Sequence, residues 1–565
     1  MDVTDLDLET QLLAGLPIVN AFYGRLGIDR LLDAHVPGDA RLRLSPADAL
    51  GVVIRNLVVR HAPVYALGEW ASRYEPSAVG LAAADLELLN DDRVGRMLAR
   101  LFDADRASLL TRLVLDAVAT FDIDLSRLHN DSTSIKFSGA YDTADGHTRG
   151  GKPTPAVRHG FSKDHRPDLK QLVWILTVSA DGAVPIAFRV VDGNTTDSTT
   201  HIGTWDNLAA LTGNVDFLYV ADSKLATFDN ARHIHTRGGR FLSVLSASRR
   251  EDRIFRDWVV TNAPEWSEAM RRPSREPDTP DDVLSTYEDH LRSADGHRIV
   301  WVHSTAKARR DATRRHARIA KAIEAIDALN VRLASPRCRI KTVVAAETEA
   351  REAIEEVNAT RWVRFHVEQD TVETFRQAKR GRPGPNTAYK KVTRTTLRIR
   401  FEIDETQVAH DAASDGMWPL ITNDADMTPA ELLAAYKWQP NLERRHAQLK
   451  GTQLVAPMWL RDPARIEGLL TCHFIAMLIA ALIERTIRQA MAQADLAELS
   501  LYPEDRGCAA PTTARVLEIF SGVARHQLTD AEGSVLRTFQ PELTDLQLQV
   551  LALLDIPVSV YSPGP

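Results

Sequence analysis

Cysteine is nearly absent: 565 residues contain three, Cys338, Cys472 and Cys508. They are scattered, odd in number and form no CxxC pair. That excludes a disulfide framework and a cysteine-based zinc module, and it fits a reducing cytosol. A general excess of positive charge is missing too. The formal net charge is -7, so no global field draws the chain to nucleic acid, and any such binding falls to local basic patches. No run is long enough to span a bilayer. The most apolar, LLTCHFIAMLIAALI, has 15 residues and contains a histidine, so it reads as a buried core helix. The acidic start MDVTDLDLET predicts no signal peptide. There are no internal repeats, which excludes a solenoid.

What is present is ordinary apolar content, 44%, over a length that exceeds one compact core and predicts about three or four domains. Residues 1–120 read as helical, with apolar residues at three- and four-residue spacing in PADALGVVIRNLVVRHA and VGRMLARLFDADRASLLTRLVLDAVATF. Asn90 and Asp91 are the expected caps. This segment serves packing, dimerisation or DNA binding. Near Leu125 the pattern changes. LSRLHNDSTSIKF alternates like a strand, and QLVWILTVS and PIAFRVVDG read as two strands joined at Asp181-Gly182. Helix, strand (DFLYVADSK), helix and strand (RFLSVLSAS) follow. A three-strand meander and then alternating helix and strand predict a mixed sheet flanked by helices over 121–249.

Residues 250–415 read as an α+β insertion, with a charged helical hairpin at 304–358 and a basic segment broken by Gly and Pro before a strand. WPLITN returns to strand. Residues 416–485 contain a helix opened by Thr428-Pro429 and restarted at Pro440-Asn441, with Asn441 as the expected second cap. Residues 486–565 read as mostly helical.

Two acids stand at strand ends. Asp131 follows RLHN, and Asp222 closes FLYVA. Either alone is an ordinary turn or cap residue. Glu443 is the lone acid of YKWQPNLERRHAQLK, among Lys437, Arg444, Arg445, His446 and Lys450, cations of the kind that grip phosphate. Three converging carboxylates need a counter-charge. Hard divalent cations with oxygen ligands supply it, typically magnesium. Two such ions about 3.5–4 Å apart serve an in-line displacement at phosphorus.

The order Asp131, Asp222, Glu443, on a mixed sheet with an insertion before the glutamate, resembles the DDE transposases of bacterial insertion sequences. HGFSKDHRPDLKQLVW, VVDGNTTDSTT and VADSKLA resemble the block between the first two catalytic acids in the insertion-sequence-four superfamily, in particular the subgroup numbered sixteen thirty-four. The family's Tyr-x2-Arg-x3-Glu-x6-Lys signature falls on Tyr436, Gln439, Glu443 and Lys450, with Gln439 where arginine is expected. The likeness runs over roughly residues 10–490 and is strongest at 125–250 and 420–480.

The resemblance implies an α/β fold: a ribonuclease-H-like mixed-sheet core with a large α+β insertion and flanking helical regions. It implies DNA end cleavage and strand transfer, with Asp131, Asp222 and Glu443 as catalytic metal ligands for two Mg2+ ions per site, Mn2+ substituting. It places Tyr436 and Lys450 on DNA phosphates. Gln439 can donate a hydrogen bond there but lacks the charged fork of arginine. The implied partners are double-stranded DNA (terminal inverted repeats and target), with a homodimer forming on DNA, no membrane, and a cytoplasmic, nucleoid-associated location. Two other readings stay open: a catalytically inactive, transposase-derived DNA-binding protein, towards which Gln439 leans, and a nuclease on the same fold without transposition.

RQAKRGRPGPNTAYKKVTRTTLRIR, 376–400, holds nine Lys or Arg and no acid. Arg380, Arg382, Lys390 and Lys391 are its expected DNA contacts. RGRP resembles the short hook that enters a narrow minor groove; general phosphate contact and a solvated basic loop are the alternatives. Lys307–Lys321 adds seven cations against one acid, expected to pair in part with the acids of AETEAREAIEE. Trp258, Trp266, Trp301 and Trp362 could stack an extruded base, though tryptophans at such spacings are ordinarily core. Gly146-HTRG-Gly151-Lys152 has phosphate-loop spacing, but Pro153 replaces the required Ser or Thr and no strand leads into it, which excludes that reading. His159, His165, His233 and His235 have no helical HxxxH or cysteine partner to make them a metal site.

Overall fold

The computed structural model describes residues 6–39, 41–59, 62–274, 276–335, 337–530, 532 and 534–562, without the side chains of Asp289 and His290. The first half of the acidic start, residues 1–5, lies outside them. The chain forms two compact units, Met1–Ser243 with Ala435–Pro565, and Val244–Ala434. It is a mixed α/β protein.

The first unit centres on five strands of a mixed sheet. β1 (Arg127–Phe137), β2 (Lys170–Ser179), β3 (Pro185–Asp192), β4 (Leu218–Val220) and β5 (Arg240–Val244) stand in the order β3-β2-β1-β4-β5. β1, β2 and β3 form an antiparallel meander. β4 runs parallel to β1 and β5 parallel to β4. β2 is buried nearly throughout, which its unbroken apolar run requires. The β2–β3 turn places Gly182 and Ala183 at φ 79° and 54°, a left-handed bend suited to Asp-Gly. α1 (His201–Thr212) and α2 (Phe228–Thr236) are the crossovers that parallel strands need.

The N-terminal segment is largely helical, and Asn90 accepts from the Arg93 N–H at 2.9 Å as the cap of Asp91–Asp103. Two helical expectations need correction. Asp7–Leu12 is a strand, paired antiparallel with Ala524–Thr529, which pairs in turn with Val535–Phe539. These segments are mostly exposed or half-buried. Asp7–Leu12 pairs across more than 500 residues, whereas Val535–Phe539 pairs with Ala524–Thr529 as a local hairpin, and no local period announces either.

α3 (Pro440–Lys450) carries Glu443. Its cap position is Gln439, not the expected Asn441. Proline's fixed φ and missing N–H suit the first helical turn, which puts the cap two residues before Asn441. Asn441 lies inside and donates to the Trp438 carbonyl at 2.9 Å. α4 (Pro463–Gln493) is the core helix. Its 31 residues extend well beyond the 15-residue apolar run and, against expectation, are long and apolar enough to cross a membrane, yet 94% of its most apolar window is buried inside the chain. It meets Asp91–Asp103 at Gly468, where a Cβ would stand 2.2 Å from the Leu98 carbonyl oxygen. Gly468→Ala should therefore destabilise this unit by about 1–3 kcal/mol, outweighing the ~0.5–1 kcal/mol that alanine gains in a helix. Urea unfolding of the two proteins measures the difference.

The second unit has an antiparallel sheet in the order Met417–Thr422, Arg298–Ser304, Asp282–Arg292, Ser267–Arg272. Its helical hairpin, Thr305–Ala334 with Val343–Glu356, packs on the lower half of a long two-stranded hairpin, Val363–Gln377 with Tyr389–Ile403. The upper half of that hairpin is exposed and carries Arg380, Arg382, Lys390 and Lys391. Lys391 pairs with Glu373 at 2.6 Å. Across the two helices Arg332, which lies outside the Lys307–Lys321 run, pairs with Glu349. From the Lys307–Lys321 run, Lys307 turns to Asp311 and Arg315 to Asp415. Trp301 is core, stacked on Phe255 at 3.7 Å between ring centroids.

Candidate active site

The parallel register of β1 and β4 pairs His129 with Val220. Asp131 and Asp222 each lie two residues further on, so the alternation of a strand brings both acids to one face at one level. The turn after β4 is fixed by the Ser243 hydroxyl, which donates to the Asp222 carbonyl at 2.6 Å, and by the Lys224 N–H, which donates to Asp222 Oδ1 at 3.0 Å. Both acids line one cavity of about 10 Å³ with Asn130, Ser132, Asp197, Thr200 and His201, room for about one water.

Asp197 was not singled out in the sequence. It lies in VVDGNTTDSTT, where an acid among threonines reads as a turn residue. Its Oδ1 accepts from the Ser132 hydroxyl at 2.6 Å. Lys163, from the loop before β2, reaches the same place. Its ammonium donates to the Ser132 carbonyl and hydroxyl at 2.7 and 2.8 Å. It stands 3.2 Å from Asp197 Oδ2 and 3.6 Å from Asp131 Oδ1.

Burial pushes the Asp131 carboxyl up to about 6; the Lys163 ammonium pulls it back, and the Asp222 and Asp197 charges add to the rise. A carboxyl raised from 3.8 to about 6 by folding holds its proton more tightly in the native state. Its favourable contribution is complete below the unfolded value and is lost as pH rises through about 6. Asp131→Asn should thus stabilise the metal-free protein by about 1–3 kcal/mol at pH 8 and by almost nothing near pH 4. Denaturant midpoints in chelator across that range test the sign.

α3 packs against β1 and brings the third acid. The Tyr436 hydroxyl, just before it, is pushed up to about 12, by burial first and then by the charges of Asp222, Glu443 and Asp131. One protonated phenol thus lies in the field of all three carboxylates. Glu443 is on the exposed side of α3 and, among the described residues, outside the cavity lining. One turn further along α3, on its buried side, His446 Nε2 lies 3.7 Å from Asp131 Oδ2. Burial drives its imidazole down to about 3, so it is neutral there.

Gln439, expected on phosphate, uses both ends of its amide on β1. Its Oε1 bonds His129 Nδ1 at 2.9 Å and its Nε2 donates to the Asn130 carbonyl at 3.3 Å. Trp438 packs on the His129 ring, 4.4 Å between centroids. Lys450 is bound to Asp164 at 2.7 Å, beside Lys163 in the chain. Arg445 and His446 are buried and face inward, so they are not among the groups that grip an external phosphate; Arg444 is exposed.

Among the described residues, no three His, Cys, Asp or Glu side chains are gathered closely enough to hold a metal as they stand. The donor chemistry nonetheless fits a hard divalent cation. Asp131, Asp197 and Asp222 offer carboxylate oxygens around one small polar cavity, and their present counter-charge is a single ammonium.

Residues 8–115 match a family model described as a domain of unknown function, DUF4277. No curated protein matches this chain. Among solved structures, the chain is similar to one titled as a cryo-EM structure of a piggyBac transposase synaptic complex with hairpin DNA, at 7% identity and a TM-score of 0.37, over 89% of this chain and 79% of that one.

Proposed function

We propose that the chain is a DDE transposase with a ribonuclease-H-like core, which cleaves the DNA ends of an insertion sequence and transfers them to a target. The observation that carries this reading is the meeting of Asp131 and Asp222 in one cavity from adjacent parallel strands, with the glutamate helix packed against the first. The strand order, three antiparallel and then two parallel through helices, supports the core assignment. The spacing of Tyr436, Glu443 and Lys450 supports the family.

Asp131, Asp222 and Glu443 would hold Mg2+, or Mn2+ in its place. Bound ions supply counter-charge and Lewis acidity for displacement at phosphorus. Asp131 would enter as the carboxylate, so metal binding must compete with its proton below about pH 6. Tyr436 stays protonated and can donate to a phosphate oxygen. Gln439 is a positioning residue, tying α3 to the strand of Asp131. Lys450 reaches phosphate on release from Asp164. The basic hairpin with Arg380, Arg382, Lys390 and Lys391 supplies sequence-independent phosphate contacts. The partner is double-stranded DNA, held by a homodimer in the cytoplasm.

DNA carrying the sequences that flank the chain's own coding element is the test substrate, incubated with Mg2+, with Mn2+ or with chelator. Metal-dependent nicking at the element boundary, followed by joining of the freed 3'-hydroxyl, is the expected result. Binding without product in both metals would favour an inactive DNA-binding protein, a reading that the internal engagement of Gln439 also supports. Cleavage that ignores the boundary and never joins would favour a nuclease.

A further inference from the structure

The acid cavity contains more than the expected residues. Asp197 lines it beside Asp131 and Asp222. His201 lines it too. This side chain is 3% exposed, its Nδ1 bonds the Tyr219 hydroxyl at 3.1 Å, and its Nε2 has no partner. Burial keeps the ring neutral, with a value near 4. A buried ring nitrogen is ordinarily satisfied, so a second polar group independent of the carboxylates marks this cavity as a place that takes a ligand.

The same cavity carries a cation of the chain's own. Lys163 is anchored from three sides: its ammonium on Ser132, its backbone N–H on the Ser134 hydroxyl at 3.3 Å, and its charge against Asp197 and Asp131. The carboxylates are therefore arranged around an ammonium. This accounts for the lack, among the described residues, of a gathered three-ligand set. An ammonium and a divalent ion cannot share these oxygens without strong repulsion.

We propose that Asp197 is a further carboxylate ligand of the divalent-metal site, and that Lys163 is a built-in cation that occupies the site in the metal-free chain and is displaced when the metal enters. This deepens the reading given above and rests on it. Asp197 is suited to the exchange because its two oxygens face different partners, Ser132 through Oδ1 and Lys163 through Oδ2. When Lys163 leaves, Oδ2 is freed while Ser132 still holds the carboxylate in place. Arginine at 163 would keep the charge, and methionine would keep most of the stem without it.

The test measures Mn2+ binding to the full chain without DNA, by the electron paramagnetic resonance of free Mn2+, so that no turnover is needed. Asp197→Asn should weaken binding about tenfold or more, as loss of one site group does. Lys163→Met should strengthen it about tenfold, since a competing charge is removed. Lys163→Arg should stay near wild type, which separates charge from a general effect of substitution. Circular dichroism melts of each variant confirm folding, and Ser132→Ala, which loosens Asp197 without touching a charge, should weaken binding in the same direction as Asp197→Asn. Binding abolished by Asp131→Asn but unchanged by Asp197→Asn and Lys163→Met would overturn this inference alone. Weaker binding in Lys163→Met would also overturn it. Absence of Mn2+ binding in the wild type would overturn it together with the reading it rests on.

Discussion

Asp131→Ala is expected to lower DNA end cleavage by about 10³-fold or more while leaving end binding within about twofold. The magnitude follows from the several kcal/mol of transition-state charge stabilisation that a bound divalent ion supplies, at about 1.4 kcal/mol per factor of ten. Asp131 is the carboxylate on which the surrounding groups converge: Lys163 at 3.6 Å, His446 at 3.7 Å and the Asp222 charge. Binding is expected to survive because DNA affinity comes from phosphate contacts by many cations, and none of those proposed touches Asp131. Gel-shift and cleavage assays on one labelled duplex read the two effects separately. Alanine removes the raised carboxyl as well, so lost cleavage in a protein that melts no lower than wild type would mark a chemical effect. Undiminished cleavage would refute the assignment of Asp131.

Much of this centre was legible in the sequence, for a definite reason. Asp222 follows on an apolar strand, as expected, whereas Asp131 lies inside β1, which runs on to Phe137; parallel pairing of the two strands still brings the acids level. His129 pairs with Val220 and the acids follow at the same offset. The hairpin at Asp181-Gly182 was equally plain, because its left-handed turn suits few residue types.

The partners of the acids were less legible. Asp197 and Lys163 come from loops, where no period constrains which side chain faces in. On α3 the pattern was present but masked by charge. Leu442, Arg445, His446 and Leu449 fall at i, i+3, i+4 and i+7, one helical face, and all four are buried. Glu443 and Lys450 share another face. Reading by charge gathered Arg445 and His446 into a phosphate grip; reading by helical face turns them inward. The N-terminal strand was illegible because its pairing is set by residues hundreds of positions away.

That inward arginine carries the other large effect. Arg445→Ala is expected to destabilise the first unit by about 3–5 kcal/mol, the usual cost of stranding one member of a buried ion pair. The Arg445 side chain is 5% exposed and that of Glu484 is 10% exposed, with 2.8 Å between them. Arg445 also donates to the Ala183 and Gly182 carbonyls at 2.9 and 3.1 Å, and to Gln448 at 3.0 Å. One guanidinium therefore ties α3 to the β2–β3 turn and to α4. Alanine would leave the Glu484 carboxylate buried, with the Thr513 N–H at 3.1 Å and the more distant Arg488 at 3.5 Å to answer it. Arg445→Met with Glu484→Leu should recover part of the loss, because the stranded charge is gone, but not all of it, because Thr513 and the turn carbonyls lose their partners. Urea unfolding of the single and double variants measures the coupling. In conditions where Arg445→Ala remains folded, cleavage should still fall while DNA binding persists, because α3 would lose the anchor that sets where Glu443 stands relative to Asp131. A variant as stable as wild type would mean that the pair contributes nothing net, and that Leu442, Leu449 and the Gln439 and Lys450 contacts suffice to hold α3.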